Sequence, residues 1–154
     1  MTSLKKGDKM PALETGNNEA IAKLQQLNGK KKILYFYPKD NTPGCTAEAC
    51  NFRDNYNQLS AKSFEVFGVS PDSEKSHQNF ISKFELPFTL IADTDHKVID
   101  AYGVWGEKKM YGKAYFGVER TTFVIDETGH IELVITKVDT KDSTAQLLNE
   151  LNNK

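Results

Sequence analysis

Ile33-Leu34-Tyr35-Phe36-Tyr37-Pro38-Lys39-Asp40-Asn41-Thr42-Pro43-Gly44-Cys45-Thr46-Ala47-Glu48-Ala49-Cys50 passes from an unbroken apolar run, through a turn rich in Pro and Asn, into helical spacing. The run to Tyr37 reads as a strand that stops at Pro38. With Thr42 as N-cap, Pro43 falls at the first helical position, where its missing N–H costs nothing. Gly44 and Cys45 are then the second and third helical residues. A side chain at the third position folds back toward the cap, which brings the Cys45 sulfur close to the Thr42 hydroxyl and to free backbone N–H groups. Those donors and the positive helix end suit a negatively charged sulfur. The same surroundings suit a small polar oxidant held in line for attack. Pro38, at the strand end, shields the site from bulk water.

Along the helix, Cys45, Ala49, Phe52, Tyr56 and Leu59 recur at spacings of four and three and form one buried stripe. Cys50 is five residues from Cys45, about 140° around the axis, on the polar side with Arg53 and Asn57. Helix geometry sets their Cα atoms roughly 8–9 Å apart, whereas a disulfide wants about 4.4–6.8 Å. In an intact helix the two cannot bond; a disulfide between them requires the first turns to unwind.

Other readings of these cysteines, the only two in the chain, stand beside this one. Cysteine is a common small core residue, and both could be inert; a Thr-Pro-Gly-Cys cap after a strand favours the reactive reading. Zinc needs two further ligands, and His77, His96 and His130 are scattered. His77 shares a face with Phe80, Ile81 and Phe84 and reads as a packed core-edge residue. His96 and His130 follow turn residues and read as solvated.

Outward from the first strand, further strand-like runs lie at Phe64–Val69, Thr89–Ala92, Thr121–Ile125 and Ile131–Thr136. Helical patterns fill roughly 43–60, 73–85, 95–102 and 142–152. Asp126-Glu127-Thr128-Gly129 reads as a hairpin turn, so the last two strands are expected to be antiparallel. The whole predicts an α/β fold, a mixed sheet with helices on both faces. Gly103–Gly117 reads as one long irregular stretch, and such loops are often functional. Asn17–Leu27 fits a short helix or a shrunken strand and turn. No linker divides the chain, and one domain over residues 1–154 is expected.

Composition narrows the function. Hydrophobic residues make up 38% and charged residues 27%, and Lys plus Arg (20) nearly balances Asp plus Glu (21). Neither nucleic acid nor an anionic membrane is indicated. The longest apolar stretch is strand-length, short of the ~20 residues of a membrane span. Met1-Thr2-Ser3-Leu4-Lys5-Lys6 lacks the apolar run of a signal peptide, so the cytoplasm is the expected compartment. There, cysteines are more often reactive than structural. Lys30–Lys32 and Lys108–Lys109 read as solvated charge.

Pro38, Thr42 and Cys45 meet the Pro-x-x-x-Thr-x-x-Cys signature of peroxiredoxins, and the chain resembles the bacterioferritin comigratory protein (PrxQ) subfamily. Cys50 matches that subfamily's second cysteine. Asn51-Phe52-Arg53-Asp54, the stretch from Ala101 to Gly112 and Glu119-Arg120-Thr121-Thr122-Phe123-Val124-Ile125-Asp126 also match, so the likeness covers roughly residues 30–137. It implies a thioredoxin-like fold of the peroxiredoxin type. It implies that Cys45 is the peroxidatic cysteine, oxidised to sulfenic acid by hydrogen peroxide or an organic hydroperoxide. Cys50 is then the resolving cysteine, closing an intramolecular disulfide that thioredoxin or a similar dithiol reduces. Thr42 and Arg120 orient the peroxide, Pro38 caps the pocket and Glu48 positions Arg120. No cofactor or metal is implied, and a monomer is expected. Between Leu13 and Gly29 the chain is shorter than the subfamily pattern, with Asn17-Asn18 in place of the usual turn.

Taken without the likeness, Arg120 reads more readily as a solvated strand-end arginine paired with Glu119 or Asp126 than as a site residue. Trp105 and Tyr111 suit core or loop packing as well as a substrate contact. The rival functions are a thioredoxin-type disulfide reductase, disfavoured by Cys-x4-Cys in place of Cys-x-x-Cys, a peroxide sensor or redox relay, and a chaperone-like binding protein.

Overall fold

The computed structural model describes residues 2–153. In chain order the elements are α1 (Glu19–Gln25), β1 (Lys31–Phe36), α2 (Pro43–Asp54), α3 (Tyr56–Ala61), β2 (Phe64–Ser70), α4 (Glu74–Phe84), β3 (Thr89–Ala92), α5 (Lys97–Tyr102), β4 (Trp105–Met110), β5 (Lys113–Val118), β6 (Thr121–Ile125), β7 (Ile131–Ile135) and α6 (Ser143–Asn152). The five-stranded sheet has the order β3-β2-β1-β6-β7. β1 is parallel to β2, and β2 to β3, while β1–β6 and β6–β7 are antiparallel. Among the described residues no helix is long and apolar enough to cross a membrane.

β1 lies at the centre because every residue from Lys32 to Phe36 is buried. Strand alternation divides them. Ile33 and Tyr35, with Tyr37 just beyond, pack with Cys45, Ala49, Phe52, Phe80 and Leu147 from α2, α4 and α6. Leu34 and Phe36 pack on the opposite side with Ile21, Leu24, Val98, Ile99 and Tyr102 from α1 and α5. Both faces are therefore covered, and past the C-terminal end of β1 the chain turns directly into α2, on the side where Tyr37 packs.

Three local features depart from expectation. The helix anticipated over 43–60 is two helices, divided at Asn55, whose backbone (φ −106°, ψ 12°) leaves the helical region and whose side chain donates to the Asn51 carbonyl at 2.8 Å. Gly103–Gly117 is not irregular: β4 and β5 form a two-stranded antiparallel hairpin. Its turn places Tyr111 (φ 53°) and Gly112 (φ 78°) in the left-handed region, as a two-residue turn matched to strand twist requires. Lys32 is fully buried rather than solvated; its ammonium donates at 2.6 Å to the carbonyl of Gln26, the C-cap of α1. A cation there complements the helix end, and burial lowers its pKa.

The ambiguous segment at Asn17–Leu27 resolves as helix. The Asn18 side chain accepts from the Ile21 N–H at 3.1 Å, capping α1. Ahead of it the chain pairs with β7: the Gly7 N–H donates to Ile131 O and the Ile131 N–H to Asp8 O, each at 2.8 Å.

Candidate active site

Cys45 occupies the first turn of the twelve-residue α2 and is 1% exposed. Thr42 is the N-cap and Pro43 the first helical residue, as the sequence requires. The Thr42 hydroxyl, however, does not cap the helix; it donates to the Lys39 carbonyl at 2.9 Å and tightens the preceding turn. Pro38 follows Tyr37 and is half-buried.

The partner of the Cys45 sulfur comes from the far end of the chain. Arg120, between β5 and β6, donates from Nη2 to Sγ at 3.3 Å and from Nη1 to Glu48 Oε1 at 2.8 Å. Glu48 is fully buried, one helical turn beyond Cys45 on the same helix, so α2 presents sulfur and carboxylate to one guanidinium. Arg120 is thus paired with Glu48, not with Glu119 or Asp126. Space is tight: a Cβ on Gly44 would sit 3.3 Å from Arg120 Nη2.

Electrostatics follow from burial among fixed charges. Burial raises the Glu48 carboxyl, which Arg120 pulls back only to about 7. For Arg120, burial favours the neutral form, but the Cys45 sulfur and Glu48 more than offset it, and its pKa lies above the ordinary value. Burial pushes the Cys50 thiol up, Arg53 opposing and Asp54 adding to the rise. Lys108 on β4 also feels the site: burial lowers its pKa, as does Arg120, while Cys45 raises it. Its ammonium donates to the Val118 carbonyl at 3.0 Å, so Lys108 is not simply solvated. Cys50 is half-buried on α2, and neither cysteine is in a disulfide.

The remaining sequence candidates lie elsewhere. Tyr111 is 98% exposed at the hairpin tip. Trp105 packs against His96 with ring centroids 4.4 Å apart and planes tilted by 42°, so His96 is partly covered rather than free in solvent. His130 is exposed, within 2.9 Å of the Thr128 hydroxyl. His77 is wholly buried and bonded through both ring nitrogens. It brings Asp40 and Asp72 near it, with ligand-type atoms within 4.8 Å of one another.

A helix-start cysteine held by an arginine, on a mixed sheet covered on both faces, defines a class of thiol-dependent, thioredoxin-like proteins. The sequence pattern of the AhpC/TSA family matches residues 6–134. The chain is 50% identical over 151 residues to a putative peroxiredoxin Bcp of Coxiella burnetii, covering 97% of this chain and 99% of that one. It is 46% identical to peroxiredoxin Bcp of Bacillus subtilis, covering 94% and 93%. A cysteine-to-serine mutant of PrxQ from Xylella fastidiosa superposes with a TM-score of 0.84 at 31% identity, over 99% of this chain and 98% of that one. The bacterioferritin comigratory protein of Xanthomonas campestris, whose structure addresses alkyl peroxide reduction, gives 0.77 at 36% identity, over 84% and 83%. The chain belongs to the AhpC/TSA family, within its Bcp (PrxQ) peroxiredoxins.

Proposed function

We propose that Cys45 is the peroxidatic and Cys50 the resolving cysteine of a hydroperoxide-reducing cycle within one chain. The chain is a thiol peroxidase by family. The observation that carries the residue assignment is the Arg120 guanidinium bridging Cys45 Sγ (3.3 Å) and Glu48 (2.8 Å).

The Cys45 thiolate attacks the terminal oxygen of R–O–O–H. The S–O bond forms as the O–O bond breaks, leaving Cys45 as sulfenic acid and the RO⁻ fragment to take a proton and depart as alcohol or water. Negative charge moves from sulfur to the departing oxygen, and Arg120 lies beside the path with a donor already aimed at the sulfur. The first-turn N–H groups of α2 add positive potential, Thr42 borders the approach, and Pro38 covers it. Glu48 fixes the guanidinium plane. The Cys50 thiol then attacks the Cys45 sulfur; the S–S bond forms and water leaves. Because helix geometry separates the two Cα atoms by roughly 8–9 Å, α2 unwinds at its start in this step.

A dithiol protein such as thioredoxin returns the disulfide to two thiols by exchange. The enzyme acts as a monomeric single domain in the cytoplasm. Peroxide consumption coupled to thioredoxin tests the assignment. Cys45→Ser abolishes turnover, and Cys50→Ser completes one sulfenic acid formation but is not efficiently recycled. Near-normal turnover in either variant contradicts it.

A further inference from the structure

The turn that delivers Cys45 to α2 is fastened from behind at one residue. Asp40, 7% exposed, receives the Tyr37 hydroxyl on Oδ1 at 2.6 Å. Its Oδ2 receives the Ser76 hydroxyl at 2.8 Å and faces His77 Nδ1 at 2.7 Å. The Asp40 N–H donates to Asp72 Oδ2 at 2.8 Å, an oxygen that also takes the Ser70 hydroxyl at 2.7 Å. His77, on α4 and fully buried, reaches the Ile91 carbonyl of β3 with Nε2 at 2.9 Å. One turn residue is thereby tied to the ends of β1 and β2, to α4 and, through the imidazole, to β3.

The chemistry of the cluster follows from its acceptors. A carbonyl and a carboxylate can only accept, so both His77 nitrogens donate and the ring is an imidazolium. Burial alone would lower the His77 pKa. The Asp40 bond and charge, the Ile91 carbonyl and the charge of Asp72 outweigh it, and the ring titrates above its ordinary range. Burial alone would raise Asp40, but the bonds from His77, Tyr37 and Ser76 hold it below its ordinary value. Protein donors occupy these carboxylate oxygens, so the cluster acts as a clasp rather than as a set of metal ligands.

We propose that the buried Asp40–His77 ion pair is the positioning latch of the catalytic turn, holding Cys45 in its peroxide-reactive place and releasing it for Cys50. The latch rests on Cys45 being the peroxidatic cysteine, and it acts oppositely on the two steps. Attack on peroxide needs Cys45 in the first turn of α2 beside Arg120; condensation with Cys50 needs that turn undone. His77 thus acts through Asp40 and touches neither sulfur nor peroxide. Asp40, Asp72 and the Tyr37 hydroxyl are the titratable groups around it, and loss of the imidazolium proton leaves a ring nitrogen facing an acceptor.

The test measures the two rates separately. Rapid-quench mass spectrometry follows sulfenic acid formation in a Cys50→Ser background and disulfide closure in the intact pair. His77→Gln is expected to slow the first step about tenfold and speed the second several-fold. It also lowers the fraction of Cys45 driven to sulfinic acid by excess peroxide. In the wild-type chain, raising pH through the His77 titration shifts the two rates in the same opposed directions, and His77→Gln removes that dependence. Ser76→Ala, which deletes one hydroxyl contact to Asp40, gives smaller changes of the same signs and decides the matter should His77→Gln fail to fold. Unchanged rates, or both rates falling together in a variant with native circular dichroism, overturn the latch. An inert Cys45 in the wild-type chain overturns the assignment of the cycle as well.

Discussion

Arg120 serves two partners, and the division of its charge between them is testable. Replacing it with Met should lower the second-order rate with peroxide by about 10²–10³, measured by stopped-flow. Lys should restore little, because a point charge cannot hold Cys45 and Glu48 at once. Gly44→Ala probes the same contact from the other side. Its new Cβ, 3.3 Å from Nη2, crowds the guanidinium, so peroxide reactivity falls while stability, read from the thermal midpoint, holds within about 0.5 kcal/mol. The placement of Thr42 and Cys45 at the start of α2 was legible because the helix register follows from Thr42 and Pro43, whereas Glu48 was named only through the family likeness. Arg120 is 75 residues from Cys45, and only its family motif pointed to it. His77 was read as a core-edge residue for a physical reason. Helical periodicity reports that a side chain is buried but not what it meets, and its partner Asp40 sits 37 residues away in a turn.

The strands of the main sheet were legible because apolar runs buried on both faces leave a strong signal. Close packing around them explains Gly68 on β2. A Cβ there would lie 2.7 Å from Leu90 Cδ2 and 2.8 Å from Tyr35 Cζ. Gly68→Ala should therefore destabilise the fold by about 1–3 kcal/mol, seen as a lower midpoint in thermal or urea denaturation. The β4–β5 hairpin escaped sequence reading because it lacks that burial. Lys109, Lys113, Tyr115 and Phe116 are exposed, and the turn is Tyr-Gly rather than Asn-Gly. The break between α2 and α3 is a similar case: the apolar stripe from Cys45 to Leu59 continues across Asn55, so periodicity passed over the interruption there. The two-helix form still has a use. α2 alone carries both cysteines, so its first turns can unwind while α3 stays packed through the buried Leu59.

Over the entire molecule the buried charges set how stability varies with pH. Asp40 titrates below its ordinary 3.8, so its contribution is complete above that pH and is lost as pH falls through the lower, folded-state value. His77 titrates above 6.5; its contribution is complete below 6.5 and is lost as pH rises through the higher, folded-state value. Glu48 moves from 4.5 to about 7, so it adds stability below pH 4.5 that fades as pH climbs through about 7. Urea midpoints should accordingly fall as pH rises, first across the Glu48 window from 4.5 to about 7 and then through the His77 window above 6.5, and His77→Gln should flatten the upper part of that fall. Glu48→Gln should remove any inflection near pH 7 in the peroxide rate. The central claim is a helix-start sulfur that reacts first and meets its neighbour afterwards, and it is tested by intact mass and thiol titration after one equivalent of hydrogen peroxide. The account predicts a single chain lighter by two hydrogens, both thiols lost together and Cys45 joined to Cys50. Two untouched thiols in a folded chain, or a disulfide joining two chains, would contradict it.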